Sequence, residues 1–358
     1  MKVLLNKPFS PCLKTLQGYL EQVNNSGWYT NFGPLHEELT AKLEEYLGVS
    51  NLLLVSNGTL AIQVAAKVLG LKNVLTTPFS FAATSSSLLW QGINIAYSDI
   101  DAKSLNICPR ALGTKIKQDA RFDGIVATHV YGNPCDVEAL SSLSEKTNTK
   151  VIYDAAHAFG VNCFNRSVLS YGDASTLSFH ATKLFHTVEG GAIIFSEKAD
   201  YSKAKELINF GINGSGELAE AGINAKLNEY QCAVGLTVFE KIDEILQHRS
   251  FLFSTYVNAL SDFVELPSWH TQSNYNGAYM PILLKDGAEK EKVKQALISN
   301  GVQCRDYFSP SLNTVYKPEV KMPISENISK RVLCLPLHYY LTEAEVGYVC
   351  DTIKASLS

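Results

Sequence analysis

Residues 51–70 have the sequence NLLLVSNGTLAIQVAAKVLG, and this stretch contains a strand-to-helix transition that decides the fold. The run 52–55 is too short for a helix and too apolar for an exposed strand, so it predicts a strand buried in a parallel sheet. Residues 59–69 predict a helix. The polar turn between them carries residue types that start helices.

The alternation of strand and helix continues on both sides of this stretch. Upstream, leucines spaced four apart form one apolar stripe and predict a helix; they are Leu35, Leu39, Leu43 and Leu47. Downstream, the pattern predicts strands at 73–77, 93–98, 124–130, 150–154, near 175–179 and near 192–196, and helices at about 82–91 and 136–147. Repeated strand-helix-strand units predict an α/β fold around a mostly parallel sheet.

The pattern changes after about residue 197. Residues 211–217, GINGSGE, predict a loop, and the rest of the chain predicts a smaller α+β unit. A mostly helical stretch at 228–265 leads out of the large domain, and the unit that follows has predicted strands at 278–284 and 332–336, a predicted helix at 288–299 and a last helix from residue 343. Because 358 residues exceed the roughly 250–300 at which a single core stops growing, we predict a large domain over 1–240 and a small one over 241–358.

The composition argues against several classes of protein. Lys+Arg 31 against Asp+Glu 35 leaves a net charge of −4 without a basic block, which argues against a nucleic-acid partner. No apolar run approaches the about 20 residues that span a bilayer, so we expect no membrane association. The N-terminal segment lacks the apolar core of a signal peptide. Eight cysteines without zinc spacing indicate free thiols in the cytoplasm and no metal site.

The turn at 55–59, VSNGT, is the first candidate binding site. A helix N-terminus offers unpaired N–H groups to an anion, Gly58 permits close approach to the backbone, and the Thr59 hydroxyl adds a donor. The turn therefore predicts a phosphate cradle, although the same residues also fit an ordinary helix cap. Walker A and Rossmann glycine patterns are absent from the sequence.

The second candidate is Asp154 in residues 150–157, KVIYDAAH, at the C-terminal end of an apolar strand, where ligands of open α/β sheets bind. A buried carboxylate needs a cationic partner, and the protonated nitrogen of a bound heterocycle would provide one. A helix cap, or a pair with lysine or arginine, is the structural alternative. His157 could hydrogen-bond beside the same ring or pack in the core.

The third candidate is Lys183 in residues 178–183, SFHATK, which follows a strand end and a hydroxyl-rich turn. Gly190 and Gly191 open the next strand and allow another group to approach closely. A lysine in such a pocket can lose its proton and form a Schiff base with a carbonyl, whereas most lysines are solvated surface charges.

A phosphate cradle, a strand-end carboxylate and a Schiff-base lysine on one sheet are together what pyridoxal 5′-phosphate (PLP) requires. Asp154 would keep the pyridine nitrogen protonated, so that the ring can take up electrons. Lys183 would hold the cofactor at C4′. Phe81 follows the next strand and could cover the ring, or it could be a core phenylalanine.

With these residues in place, the chain resembles the fold-type I, aspartate aminotransferase-like PLP enzymes of the DegT/DnrJ/EryC1/StrS sugar aminotransferase family. The similarity runs over nearly the whole length, and the motifs occur in the family's order. The stretches that carry it are TNFGPL (30–35), SNGTLA (56–61), PFSFAAT (78–84), DAAHAFG (154–160), SFHATK (178–183) and EGGA (189–192).

The resemblance implies roles for individual residues. Lys183 would carry the cofactor and be catalytic together with Asp154 and His157, and Phe81 would stack on the ring. The phosphate would be held by Gly58, Thr59 and Ser178.

The resemblance also implies a homodimer in which Asn224 reaches the phosphate of the neighbouring subunit's cofactor. Ala225 and Lys226 stand where the family has Tyr and Arg, and lysine lacks the bidentate fork of arginine. The low fraction of charged residues, 18% against about 25% in an average domain, fits a surface covered by another subunit. We expect substrate contacts from Asn31, Phe32 and His186, although the loop 186–189 departs from the commoner glycine-containing version.

The implied activity is ping-pong transamination from L-glutamate to a nucleotide-linked ketosugar, with Lys183 moving the proton. The motifs TNFGPL, PFSFAAT and SFHATK are most similar to those of enzymes that aminate C4 of a dTDP-4-keto-6-deoxyhexose, such as dTDP-4-keto-6-deoxyglucose. Such enzymes make amino sugars for O-antigen or other surface polysaccharide. A 3-ketosugar aminotransferase and a GDP-linked, perosamine synthase-like enzyme are the alternatives. Lys183 argues against a PLP-dependent sugar dehydratase, and Lys183 with Asp154 argues against a non-catalytic regulator.

Overall fold

The computed structural model describes residues 2–358. The helices in this range are α1 (Leu13–Ser26), α2 (Pro34–Leu47), α3 (Gly58–Val68), α4 (Ala82–Trp90), α5 (Pro109–Gln118), α6 (Val137–Thr147), α7 (Lys198–Leu207), α8 (Glu229–Phe239), α9 (Ile242–Leu260), α10 (Gly287–Ser299), α11 (Asn313–Tyr316), α12 (Pro323–Arg331) and α13 (Glu343–Leu357). The strands are β1 (Leu52–Val55), β2 (Asn73–Thr76), β3 (Asn94–Tyr97), β4 (Gly124–Thr128), β5 (Lys150–Asp154), β6 (Asn162–Cys163), β7 (Arg166–Ser167), β8 (Ala174–Ser178), β9 (Gly191–Phe195), β10 (Met280–Leu283) and β11 (Val332–Leu335).

A seven-stranded sheet in the order β1-β9-β8-β5-β4-β2-β3 forms the centre of the molecule. The pairs β2–β3, β2–β4, β4–β5 and β5–β8 are parallel, whereas β9 is antiparallel to both β8 and β1. Of these seven strands only β9 is therefore reversed. The prediction of an α/β fold around a mostly parallel sheet is confirmed.

The prediction for 52–55 is wrong in one respect. These residues form a fully buried strand, as expected, but β1 pairs antiparallel with β9 at an edge of the sheet. The reason is that an apolar run reports burial and not the direction of the neighbouring strand. Because both partners of β9 run the same way, the C-terminal end of β1 still lies at the edge of the sheet where the parallel strands end.

Helices cover both faces of the sheet. Successive side chains of a strand point to opposite faces, and in β1 the side chain of Leu54 belongs to one apolar cluster while those of Leu53 and Val55 belong to the other. The stripe predicted on α2 is buried in the first cluster with Leu54. Apolar packing therefore encloses the strands on both faces of the sheet.

Five helices that sequence periodicity missed are α1, α5, α7, α11 and α12. Helix α1 buries only Val23, and α5 buries only Leu112 and Ile116 among the described residues. A helix with so few buried positions has no apolar stripe, and its sequence therefore shows no helical period.

The C-terminal part has its own small sheet, in which β10 and β11 pair antiparallel. An apolar cluster joins this sheet to α9, α10 and α13 and also includes Val3. Helix α13 starts with a capping box between Thr342 and Glu345. The proposed boundary between residues 240 and 241 lies between α8 and α9 and stays a prediction. No helix among residues 2–358 is long and apolar enough to cross a membrane.

Candidate active site

A cavity of about 330 Å³ lies at the C-terminal ends of β1, β5 and β8. Seven of the residues predicted from the sequence line it, namely Gly58, Thr59, Phe81, Asp154, His157, Ser178 and Lys183. They come from three strand ends and from the start of α4, far apart along the chain. The parallel sheet brings them together because its strands end at a common edge.

The turn between β1 and α3 has the geometry of an anion cradle. The Asn57 side chain caps α3 by accepting from the Leu60 N–H at 2.9 Å. The first intrahelical bond runs from Ala61 N–H to Asn57 O, so the N–H groups of Gly58 and Thr59 remain available to a ligand. A Cβ on Gly58 would lie 2.9 Å from Ser178 Cβ, so glycine lets the end of β8 sit against the helix start.

Gly191 makes the close approach that the sequence predicted for the glycine pair. A Cβ there would lie 2.7 Å from Leu177 O and 2.8 Å from the Asn57 carbonyl carbon. The start of β9 is therefore pressed against the backbone of the cradle. Any side chain at Gly191 would have to displace main-chain atoms of this turn.

Asp154 ends β5 with its carboxylate almost completely buried, at 5% exposure of the residue. Its Oδ2 accepts from the Thr84 hydroxyl at 2.6 Å, and its Oδ1 accepts from the Ala156 N–H at 3.2 Å. None of the ion pairs among residues 2–358 includes Asp154. Burial raises the pKa of this carboxyl group, and the two hydrogen bonds oppose that shift. A buried carboxylate without a cationic partner fits a ligand that brings a positive charge.

A chain of hydroxyl groups holds Thr84 in place. Ser80 Oγ lies 2.7 Å from Thr84 Oγ1 and 3.0 Å from Thr128 Oγ1. All three residues are buried. The orientation of the Asp154 carboxylate is thus fixed by α4 and β4 as well as by its own strand.

His157 is buried with its ring against the cavity. Nδ1 accepts from the Tyr131 N–H at 3.2 Å, which places the proton of the neutral ring on Nε2. Burial lowers the pKa of His157 well below its usual value. The ring lies 4.6 Å from that of Tyr279 and is parallel to that of Phe308 at 5.8 Å. His157 is therefore a neutral hydrogen-bond donor at Nε2.

Lys183 follows β8 with its side chain half-buried, and its Nζ donates to the Tyr279 hydroxyl at 3.4 Å. Burial lowers its pKa to about 8, although the nearby Asp154 carboxylate acts in the opposite direction. A neutral amine is the nucleophilic form of lysine, so this environment favours attack on a carbonyl. Phe81 precedes α4 and is 55% exposed while it lines the cavity, so an aromatic face is open to a ligand.

Four predicted residues lie outside the cavity lining of their own chain. Asn224 is exposed and pairs through its backbone with Asn209. The Asn31 carbonyl accepts from Trp28 Nε1, and Phe32 packs edge-on against His36 at 5.2 Å.

The fourth, His186, is buried, and both its ring nitrogens have backbone partners. Nε2 lies 2.8 Å from Phe9 O, and Nδ1 accepts from the Val188 N–H at 3.3 Å. These two bonds occupy both ring nitrogens in this structure. The roles of His186, Asn224, Asn31 and Phe32 stay predictions.

The small C-terminal unit adds residues that sequence reasoning missed: Tyr279, Arg305, Tyr307 and Phe308 line the same cavity. They lie far along the chain from Lys183, and no period links them to the large sheet. The signal that could have indicated them is the segment 304–310, CRDYFSP, where a cation and two aromatic residues stand together in a predicted loop.

The residues present fit PLP. The cradle suits its phosphate, the unpaired Asp154 suits its pyridinium nitrogen, and the Lys183 amine suits its aldehyde. Among residues 2–358 no three His, Cys, Asp or Glu side chains form a group that could hold a metal ion.

Comparison with known proteins identifies the family of the chain. The sequence model of the DegT/DnrJ/EryC1/StrS aminotransferase family matches residues 13–354. The dTDP-4-amino-4,6-dideoxy-D-glucose transaminase of Shigella dysenteriae is 38% identical over 366 residues, covering 98% of each chain. The Escherichia coli transaminase of the same name is 33% identical over 352 residues, covering 95% of this chain and 94% of its own. The crystal structure of DesI in the presence of its TDP-sugar product matches with a TM-score of 0.93 at 27% identity, covering 99% of this chain and 93% of DesI.

Proposed function

This chain belongs to the DegT/DnrJ/EryC1/StrS aminotransferase family, and we propose that it transfers an amino group from L-glutamate to C4 of dTDP-4-keto-6-deoxyglucose. It is a PLP-dependent aminotransferase. The observation that carries the proposal is the meeting of Lys183 and the unpaired Asp154 in one cavity. The substrate is supported by the two transaminases from Shigella dysenteriae and Escherichia coli, which match over almost their whole lengths.

When bound, PLP supplies an aldehyde that accepts the amino group and a ring that takes up electrons from the reacting carbon. The N–H groups of Gly58 and Thr59 and the Ser178 hydroxyl bind the phosphate. Asp154 holds the pyridine nitrogen in its protonated form, because a buried carboxylate is strongly stabilised by a facing cation. Phe81, whose aromatic ring is open to the cavity, would cover one face of the cofactor ring.

Lys183 both anchors the cofactor and moves the proton. Its pKa of about 8 lies close to neutral pH, so the amine can accept a proton from one carbon and return it to another without a large energetic penalty. The Tyr279 hydroxyl, 3.4 Å from Nζ, keeps the amine at the cavity when it is free. His157 donates from Nε2 to an oxygen at the ring edge.

We further propose a homodimer in which Asn224 completes the phosphate site of the neighbouring subunit. Support comes from large exposed apolar side chains on the segments that carry Asn31 and Asn224, namely Trp28, Tyr29, Phe210, Ile223 and Tyr230. Apolar surface of this kind marks protein contacts. We place the enzyme in the cytoplasm, where its product would serve O-antigen or another surface polysaccharide.

Adding L-glutamate to the purified, PLP-loaded protein tests the activity. We expect the visible absorption band of the bound cofactor to bleach, and the Lys183→Ala variant to lose this response. Lys14→Ala is the matched control, because Lys14 is exposed on α1 away from the cavity. A wild-type band that glutamate leaves unchanged would refute the proposed donor, and turnover that survives Lys183→Ala would refute the role of this lysine.

A further inference from the structure

The cavity contains one cation that has no role in the proposed amino transfer. Arg305 lines the cavity with an exposed side chain and takes part in none of the ion pairs among residues 2–358. The other charged lining residues have partners or roles: His180 Nε2 lies 3.6 Å from Glu189 Oε1, and Lys183 and Asp154 serve the cofactor. Arg305 is thus the cation of the cavity that is free to meet an anionic ligand.

The backbone that presents Arg305 is firmly held. Its N–H donates to Cys334 O at 3.1 Å, and its carbonyl accepts from the Cys334 N–H at 2.8 Å. The next residue, Asp306, pairs with two lysines of α10. Its Oδ1 lies 3.4 Å from Lys290 Nζ, and its Oδ2 lies 2.5 Å from Lys294 Nζ. These contacts fix the main chain and leave the guanidinium free, so the site is preorganised for a ligand.

Two tyrosine rings separate the guanidinium from the reacting amine. Lys183 Nζ contacts the Tyr279 hydroxyl, the rings of Tyr279 and Tyr307 lie 5.4 Å apart, and the Arg305 guanidinium carbon lies 4.9 Å from the centroid of the Tyr307 ring. Arg305 therefore stands at the rim of the cavity while Lys183 stands at its base.

This separation matches the shape of a nucleotide-linked 4-ketosugar. Its reacting carbon and its diphosphate lie at opposite ends of the pyranose ring, whereas the α-carboxylate of an amino acid is bonded directly to the reacting carbon. A guanidinium binds phosphate oxygens through two parallel hydrogen bonds. We propose that Arg305 binds the diphosphate of the nucleotide sugar, an assignment that rests on the proposed function.

Measuring the two half-reactions separately in an Arg305→Gln variant tests this assignment. The first is bleaching of the cofactor band by L-glutamate; the second is the reverse reaction of the PLP form with the dTDP-4-aminosugar. We expect the sugar concentration for half-maximal rate to rise about 10- to 100-fold, since a charged hydrogen bond contributes on that scale. The glutamate half-reaction should stay within about twofold.

Two further variants sharpen the result. Arg305→Lys should recover part of the lost affinity, because it keeps the charge but not the fork. Arg110→Gln, an exposed arginine on α5 without an ion pair among residues 2–358, should behave like the wild type. Binding of dTDP alone to the PLP-loaded protein, measured by calorimetry, should weaken in Arg305→Gln.

Three results would overturn the assignment. If the glutamate half-reaction weakens and the sugar half-reaction does not, Arg305 binds a donor carboxylate. If neither half-reaction changes but sedimentation shows that the variant has a different oligomeric mass from the wild type, Arg305 belongs to a contact between subunits. If dTDP binds equally well to wild type and variant, the diphosphate lies elsewhere. A wild-type protein that binds dTDP through Arg305 but ignores glutamate would instead refute the proposed function alone.

Discussion

Asp154 is a buried carboxylate whose partners within residues 2–358 are a hydroxyl and a main-chain N–H. Removing a charge from water without a compensating cation is costly, so such a group in a cavity indicates a functional site. The nearby Lys183 amine offsets part of this cost. It lowers the pKa of Asp154, and the Asp154 carboxylate raises the pKa of Lys183, so each group favours the charged form of the other.

Replacing Asp154 with asparagine should weaken PLP binding by about 10- to 100-fold, because the variant keeps the shape but loses one charge-assisted hydrogen bond. Turnover should fall further, since a neutral pyridine takes up electrons poorly. Fluorescence titration with PLP and steady-state rates measure both effects. Asp351→Asn, exposed on α13, is the control; equal PLP affinity in the wild type and Asp154→Asn would contradict the pairing.

The pKa of Lys183 predicts a pH dependence for cofactor capture. Burial lowers this pKa from 10.5 to about 8, so the neutral amine becomes the main form above pH 8. The rate at which cofactor-free protein takes up PLP should rise with pH around a midpoint near 8 and then level off. Stopped-flow absorbance from pH 6 to 10 gives the profile, and a rate still rising steeply at pH 10 would show that the environment does not act on this amine.

At the residue scale, the sequence pointed to Asp154, Lys183 and the cradle because each follows a recognisable apolar strand. Thr84 and Tyr279 could not be assigned in this way. Their roles depend on which face of a helix or small strand meets the cavity, and a hydrogen bond of 2.6 Å between residues 70 positions apart leaves no local pattern.

At the scale of elements, the site depends on how closely β9 packs against the turn after β1. The first residue of β9, Gly191, lies against Asn57 and the end of β8, and every near atom is main chain. Sequence periodicity found the seven strands of the large sheet and several of the helices between them, but not α5. It could not give the direction of β9, because a strand buried between two helical layers is apolar whichever way it runs.

Substituting Gly191 with alanine should destabilise the protein by about 1–3 kcal/mol, because the added methyl group overlaps backbone that cannot move aside cheaply. PLP affinity should fall with it, since Asn57 shapes the cradle. Gly18→Ala is the matched control: it lies in α1 with nothing within 4 Å of the new Cβ, so it should stabilise the helix by about 0.5–1 kcal/mol. Urea unfolding measures both, and a neutral Gly191→Ala would refute the tight packing.

At the scale of the whole molecule, the active site is shared among distant parts of the chain. The large sheet supplies the residues for the cofactor, and the C-terminal unit supplies Tyr279 and the segment with Arg305. Length and pattern predict the two-part organisation, which stays a prediction. They do not predict that residues 305–308 line the cavity, because packing between distant parts of the chain depends on surface shape that one sequence does not reveal.

A subunit-mixing experiment tests the proposed dimer. Lys183→Ala and Asn224→Ala proteins should each be nearly inactive, yet co-refolding them should restore up to about a quarter of wild-type activity, since half of the dimers then carry one intact site. Sedimentation should give twice the 39.3 kDa chain mass. Absence of recovery in verified mixed dimers would mean that Asn224 acts within its own chain or not at all.

The central claim is amino transfer to C4 of a dTDP-linked ketosugar. Incubating the PLP-loaded enzyme with ¹⁵N-labelled L-glutamate and dTDP-4-keto-6-deoxyglucose, and locating the label by NMR, tests it most directly. We predict ¹⁵N bonded to C4 of the product sugar, with none in the Lys183→Ala reaction. Label at C3, no incorporation, or faster turnover of a GDP-linked 4-ketosugar would contradict it.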